Sequence, residues 1–312
     1  MLRVRQAIQH LQASGISLTA CSLVLFLILT SALFSATQGV SIHLDVIGLA
    51  LALALAGLGL AALTYTFLRP DRYLASASLG TFLLVVGIIA GGIISYFGTA
   101  ALIPLVDADL VTFGKKLGFD DRALLYPLTA NPLLLQVLAI CYGISNALLF
   151  FTPLILVLFK RWEKSREFLF LFSVTFTCCV FTPFIFPAMG SYEFFRIAPA
   201  SVGLPPGAGN YHVEAFTMLR NGPFESISIE ALKGVVTFPS FHTCMALLII
   251  FAFRDVQWLR WPMLMLGLIT IIATIPMGGH YVADLFVAGV LFWTVFCAYK
   301  CLEARKNLNA PV

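Results

Sequence analysis

Eight apolar runs divide the chain, near residues 17–36, 46–68, 79–104, 136–159, 167–189, 240–253, 257–277 and 281–299. Most approach or exceed the roughly 20 residues that a helix needs to cross the hydrocarbon core of a bilayer. Backbone groups in that core must pair within a helix or a closed barrel, and runs this uniformly apolar predict helices. The sixth run is the shortest, and Val235, Val236 and Phe238 ahead of it carry its apolar character to the interface. Pro153, Pro183 and Pro187 predict kinks in the fourth and fifth runs. Gly87 and Gly91 make a G-x-x-x-G step in the third run, a pattern that lets membrane helices approach closely.

Polar positions collect in two long loops. Residues 105–135 alternate charges (Asp107, Asp109, Lys115, Lys116, Asp120, Asp121, Arg122) with Leu, Val and Phe. That alternation predicts an amphipathic segment lying in the interface. The second loop, 190–239, carries Arg196, Arg220, Lys233, Tyr211 and His212. Composition agrees with a membrane protein: 60% of the 312 residues are hydrophobic and 11% charged, against about a quarter charged in soluble domains. The expected fold is therefore an all-α integral membrane protein of about eight transmembrane helices. Residues 1–78 would hold two of them, 79–304 a six-helix membrane domain with the loops 105–135 and 190–239, and 305–312 a tail.

Arg3 and Arg5 precede the first run, as in a signal peptide. Its apolar core exceeds a signal's, and Leu33-Phe34-Ser35-Ala36 suits cleavage poorly, so a retained helix is expected. With eight crossings, one side holds 13 Lys and Arg and the other six. Cytoplasmic loops carry the excess of positive charge, which puts both termini in the cytoplasm. The starts of the sixth and eighth runs then face the periplasm or exterior, and a bacterial inner membrane is the expected location. Nothing in the +4 net charge points to nucleic acid. The seven cysteines lie in or beside apolar runs without metal-ligand spacing to a histidine and read as small buried residues.

Candidate chemistry sits at the ends of residues 233–286. His280 and Asp284 are four apart, one helical turn, so the carboxylate can hold one imidazole nitrogen and leave the other as a nucleophile. Asp284 is also read as the one acid set inside an apolar run. Pro239-Ser240 suits a helix start, where Ser240 can cap and free N–H groups can receive an anion. His242 follows, placed to give or take a proton at a bound phosphate. Two crossings separate the histidines, which returns both to one membrane face. A zinc site lacks the usual His spacing, and no metal or cofactor is expected. A carrier would hold its ionisable groups near mid-membrane rather than at one edge.

Pro-Ser-x-His, then about forty residues, then His-x-x-x-Asp resembles the second and third motifs of the type 2 phosphatidic acid phosphatase superfamily. Phe238-Pro239-Ser240-Phe241-His242 and His280-Tyr281-Val282-Ala283-Asp284 are most similar to the branch containing fungal inositol phosphorylceramide synthase, the target of aureobasidin A. Phe186-Pro187-Ala188-Met189-Gly190 resembles the end of the preceding helix in bacterial relatives. The resemblance implies that His280 attacks phosphorus to give a phosphohistidine, oriented by Asp284. His242 would protonate the leaving group and then activate the acceptor, and Ser240 with nearby amides would hold the phosphate.

Two departures bear on this. The superfamily's first motif, a lysine followed by Arg-Pro, is absent, since Arg69-Pro70 lies on the cytoplasmic side. The arginine six residues before the nucleophile is Thr274 here, as the sphingolipid-synthase branch also lacks it. Phosphate contacts then fall to Lys233 first, with Arg220 and Arg196 as the other outer-loop cations. The expected activity is transfer of a phosphoryl or phospho-headgroup between phospholipid or sphingolipid substrates. The alternatives are a lipid phosphatase of the phosphatidate or isoprenyl-phosphate type, and a non-catalytic lipid carrier.

Overall fold

The computed structural model describes residues 17–308, so Arg3, Arg5 and the tail beyond residue 308 lie outside the described residues. The described residues are mostly helical. In order come α1 (Leu18–Gln38), α2 (Val46–Leu63), α3 (Arg72–Ala100), α4 (Asp107–Lys116), α5 (Asp121–Thr129), α6 (Pro132–Leu158), α7 (Trp162–Phe181), α8 (Ser191–Phe195), α9 (Val213–Asn221), α10 (Phe241–Phe253), α11 (Arg260–Gly278) and α12 (Val282–Leu308). Short polar side chains start many of them by accepting otherwise orphaned N–H groups. Ser17, Asp45, Asp71 and Asp120 do so for α1, α2, α3 and α5. Asn131 opens α6, with Pro132 in the first helical position.

Seven helices among the described residues are long and apolar enough to cross a membrane. The eighth expected span, α10, has only 13 residues. At 1.5 Å per residue it falls roughly 10 Å short of a bilayer core. Its first residues, including His242, are therefore recessed below one face if its other end reaches the opposite face. The apolar core explains how it stays there: Phe241, Met245, Ile249 and Phe253 pack against Phe168, Phe172 and Phe176 of α7 and Phe292 of α12. From α1, Ala20 and Leu27 join the same core, while Leu25, Leu29 and Leu33 remain exposed, as lipid-facing side chains must. The G-x-x-x-G step acts as expected, since a Cβ on Gly91 would run into the Phe176 ring.

The far end of α10 is pinned by charge. Glu167 of α7, at the start of the fifth run, is 5% exposed, so Asp284 is not the one acid buried in a span. Its carboxylate receives Arg254 at 2.8 Å and Lys164 and Lys300 at 3.5 Å. One anion thus joins the ends of α7, α10 and α12. Removing it would leave Lys300 without this anion and Lys164 and Arg254 with only the half-exposed Asp255. Glu167→Gln is expected to cost about 2 kcal/mol, less than a fully buried pair because the cations are partly exposed. A lowered thermal midpoint in detergent checks this, and an unchanged midpoint contradicts it.

Several expectations need correction. Pro183 opens a 3-10 turn over Thr182–Phe184 and Pro187 lies past it, so both prolines end the fifth span rather than kink it. The 105–135 loop forms two short helices, α4 and α5, but Asp107 and Asp121 are buried (4% and 2% exposed) instead of facing water. Two three-residue strands also form: β1 (Ser41–His43) and β2 (Ser226–Ser228) pair in parallel, with Ile42 opposite Ile227. They tie the loop after α1 to the 190–239 loop.

Candidate active site

The site forms where α11 ends and α12 begins. Gly278 closes α11, and Gly279 takes φ +70°, a left-handed conformation that glycine adopts without steric cost. His280 and Tyr281 follow as non-helical residues before Val282 starts α12. His280 is therefore just outside the helix on which the i, i+4 reading placed it. The contact nonetheless forms, with His280 Nδ1 3.1 Å from Asp284 Oδ2. The same oxygen accepts the Tyr281 N–H at 3.0 Å, so Asp284 orients the imidazole and closes the first turn of its own helix. With Nδ1–H donating to Asp284, Nε2 carries the lone pair.

His280 is 3% exposed and Asp284 fully buried. Burial disfavours the imidazolium and pulls the His280 pKa down to about 4, against a smaller opposite pull from the Thr237 backbone carbonyl. His280 is thus neutral at ordinary pH.

His242 is the second residue of α10. Its ring lies 6.2 Å from that of His280, centroid to centroid, and stacks on Tyr142 of α6 at 4.7 Å and 29°. Ser240 caps α10 by accepting the Thr243 N–H at 3.3 Å, and its own N–H donates to the Asp284 carbonyl. The starts of α10 and α12 are thereby joined. Because the Ser240 Oγ lone pair is engaged in capping, what it can offer an anion is its hydroxyl proton. The N–H groups of Phe241 and His242 open the helix and have no intrahelical acceptor.

A cavity of 250 Å³ runs from His242 between α3, α6, α7 and α10. Ile88, Leu149, Val180 and Met245 line its apolar depth, and Asn146, Tyr211 and Lys233 its polar parts. Lys233 is thus near His242, but its ammonium is 3.3 Å from Glu214. Burial pushes the Tyr211 phenol up to about 12, so it stays a donor. Arg220 is not brought to this cavity. Its guanidinium donates to the Ile103 carbonyl at 2.9 Å and lies over the Phe216 ring.

Sequence reasoning missed the residues that brace the site. Asp107 accepts the N–H groups of Met189 and Gly190 and the Tyr281 hydroxyl at 2.8 Å, clamping the chain on either side of the histidines. Its hydrogen bond and charge help hold the Tyr281 phenol protonated, after burial as the main cause. Asp121 accepts the first N–H of α12, from Val282, at 2.7 Å; burial raises its pKa. His212 was placed in a loop, yet it is buried and contacts the Met189 carbonyl through Nε2 at 2.7 Å. Burial holds it neutral. Tyr142 looked like one more aromatic in an apolar run. Among the described residues, no group of three or more His, Cys, Asp or Glu side chains is arranged to hold a metal ion.

Compared with known proteins, residues 108–299 match a family model described as the PAP2 superfamily. That stretch contains α4 to α12 almost entirely, with Ser240, His242, His280 and Asp284; Asp107 lies one residue before it. No curated protein and no solved structure matches the chain.

Proposed function

Because the chain belongs to the PAP2 superfamily, we propose that it is a membrane-embedded lipid phosphotransferase working through a phosphohistidine on His280. The single observation that carries this is the pairing of a neutral imidazole, fixed by Asp284 through Nδ1, with a second histidine 6.2 Å away. A nucleophile held by a carboxylate beside a separate acid–base group is the arrangement that covalent transfer needs.

In the first half-reaction, Nε2 of His280 bonds to phosphorus and the bond from phosphorus to the leaving oxygen breaks. Protonated His242 gives its proton to that oxygen, and an anionic phosphate beside it favours the protonated form. In the second, neutral His242 takes a proton from the acceptor hydroxyl, whose oxygen displaces His280. Ser240 and the free N–H groups at the start of α10 receive the phosphate charge. Lys233 can join them by leaving the exposed Glu214, an ion pair of small worth. Arg220, held at Ile103, has a structural role in this account.

The cavity beside His242 suits a hydrocarbon chain in its depth and a headgroup at its polar parts, which favours a phospholipid or sphingolipid donor. Transfer to a lipid hydroxyl, as in inositol phosphorylceramide synthesis, is preferred over hydrolysis because the cavity gives the acceptor's place beside His242 apolar walls. Water as acceptor would make the protein a phosphatidate or isoprenyl-phosphate phosphatase. The excess of cations on one side supports an active site facing the periplasm or exterior, with cytoplasmic termini.

Purified protein given mixed phospholipids with ceramide and diacylglycerol tests the reading by mass spectrometry. A new phospho-headgroup lipid is expected; release of free phosphate alone would assign the phosphatase. Lipid binding without any turnover would instead favour the carrier. The pH profile offers a second check. Since the folded pKa of His280 is depressed to about 4, the nucleophile stays neutral as pH falls through the ordinary imidazole range. The acid limb of kcat/KM, which reports the free enzyme, is expected near 4. A limb near the unshifted value of 6.5 would contradict a buried neutral nucleophile.

A further inference from the structure

The Tyr142 hydroxyl is buried and has no hydrogen-bond partner. An unpaired buried polar group is costly and rare, and calls for a cause. Its ring is fixed by the stack on His242, so the hydroxyl is held and not free to seek water. Its direction follows from Gly278. A Cβ on Gly278 would lie 3.4 Å from the Tyr142 hydroxyl, 3.0 Å from Nε2 of His280 and 2.6 Å from its Cδ2. The phenol and the attacking nitrogen are therefore near neighbours beside Gly278, against which the imidazole packs. Gly278 is the last residue of a helix with no left-handed φ, so its backbone does not require glycine there; the close approach of the His280 ring does.

We propose that the phosphoryl group is bound where the Tyr142 hydroxyl and Nε2 of His280 come together, and that this hydroxyl donates a hydrogen bond to a non-bridging oxygen of the transferred group. The proposal rests on the reading of the site as a phosphoryl-transfer centre. Tyr142 keeps its proton throughout: as Nε2 bonds to phosphorus and the leaving oxygen departs with the proton of His242, the phenol only strengthens its bond to an oxygen gaining charge. It supplies a donor where Arg220 is held away at Ile103 and Lys233 is paired with Glu214. The stack also sets the plane of His242, so one side chain positions the acid and binds the group it acts on.

The test compares full-length wild type, Tyr142→Phe and Gly278→Ala in detergent on mixed phospholipids with ceramide and diacylglycerol as acceptors and on dioleoyl phosphatidate with water as acceptor, with vanadate as a phosphoryl mimic. Phenylalanine keeps the ring and removes only the donor. Removing one such donor typically costs about 100-fold in kcat, and that loss is expected with KM changed only a few-fold and vanadate inhibition weakened about tenfold. Gly278→Ala, whose methyl would press the His280 ring out of place beside the Tyr142 hydroxyl, is expected to lose turnover and vanadate sensitivity together. A Tyr142→Phe enzyme with wild-type kcat and vanadate inhibition overturns the proposal, as does a fully active Gly278→Ala. Wild-type protein that turns over no phosphoester overturns the underlying reading, and the subsite falls with it. Wild-type turnover with unaffected variants overturns the subsite alone.

Discussion

Replacing His280 by alanine is expected to lower turnover by about 10⁴-fold or more while leaving the fold in place. Removing a covalent nucleophile leaves only the catalysis that binding and the remaining donors provide. The structure makes the comparison clean, because His280 lies between two helices and is part of neither. Its backbone N–H reaches the Thr274 carbonyl at 3.4 Å and survives the substitution. Loss of the imidazole does free Asp284 Oδ2 of one partner, but the Tyr281 N–H remains on it. Phosphoester turnover, read beside lipid binding and thermal midpoint, checks the prediction. Retained binding with lost turnover is the expected pair, and it is the pair that a simple carrier cannot give.

The second large effect belongs to Asp284→Asn, expected to reduce kcat about 10³-fold. Asparagine has nearly the same shape but replaces an acceptor-only oxygen with either an amide oxygen or an NH₂ group. Asp284 Oδ2 serves two donors at once, His280 Nδ1–H and the Tyr281 N–H. An amide can satisfy them only through its oxygen, with no charge to balance the imidazolium character that develops as His280 attacks. Turned the other way, its NH₂ would force the proton onto Nε2 and remove the nucleophile, the same tautomer failure that disables a catalytic triad. Oδ1 of Asp284 has no partner in the folded protein, so an NH₂ there would be a buried donor without an acceptor. A single-turnover measurement locates the loss: slowed phosphorylation of His280 is expected, and wild-type phosphorylation with slow release would contradict the orienting role.

How much of this was legible in the sequence follows from the length over which each signal repeats. Spans such as α3 and α6 were readable because each carries a long apolar run, although their caps, Asp71 and Asn131, start the helices ahead of the runs drawn at 79 and 136. The histidine pair was readable because its spacing is local at each end and two crossings bring the ends together. The bracing acids were not. Asp107 and Asp121 sit in an alternating pattern that an interfacial helix and a clamped loop share, and only packing shows that their carboxylates turn inward to Tyr281 and Val282. Tyr142 is hidden for the opposite reason: in an apolar run, an aromatic ring is expected to be core. The three-residue strands are too short to show a period of two. His212 carried no local signal, since its contact with the Met189 carbonyl crosses from one part of the loop to another. Arg220 and Lys233 illustrate a further limit, because their loop position carries no information on their partners, the Ile103 carbonyl and Glu214.

The central claim is that phosphorus becomes bonded to His280. Rapid quenching of purified enzyme during turnover, under conditions that preserve phosphohistidine, followed by peptide mass spectrometry, tests it most directly. The account predicts one added phosphoryl or phospho-headgroup on the peptide carrying His280, accumulating before product, and none in His280→Ala. Active turnover in which no group is ever trapped on His280, or in which the label sits on His242 instead, would contradict it.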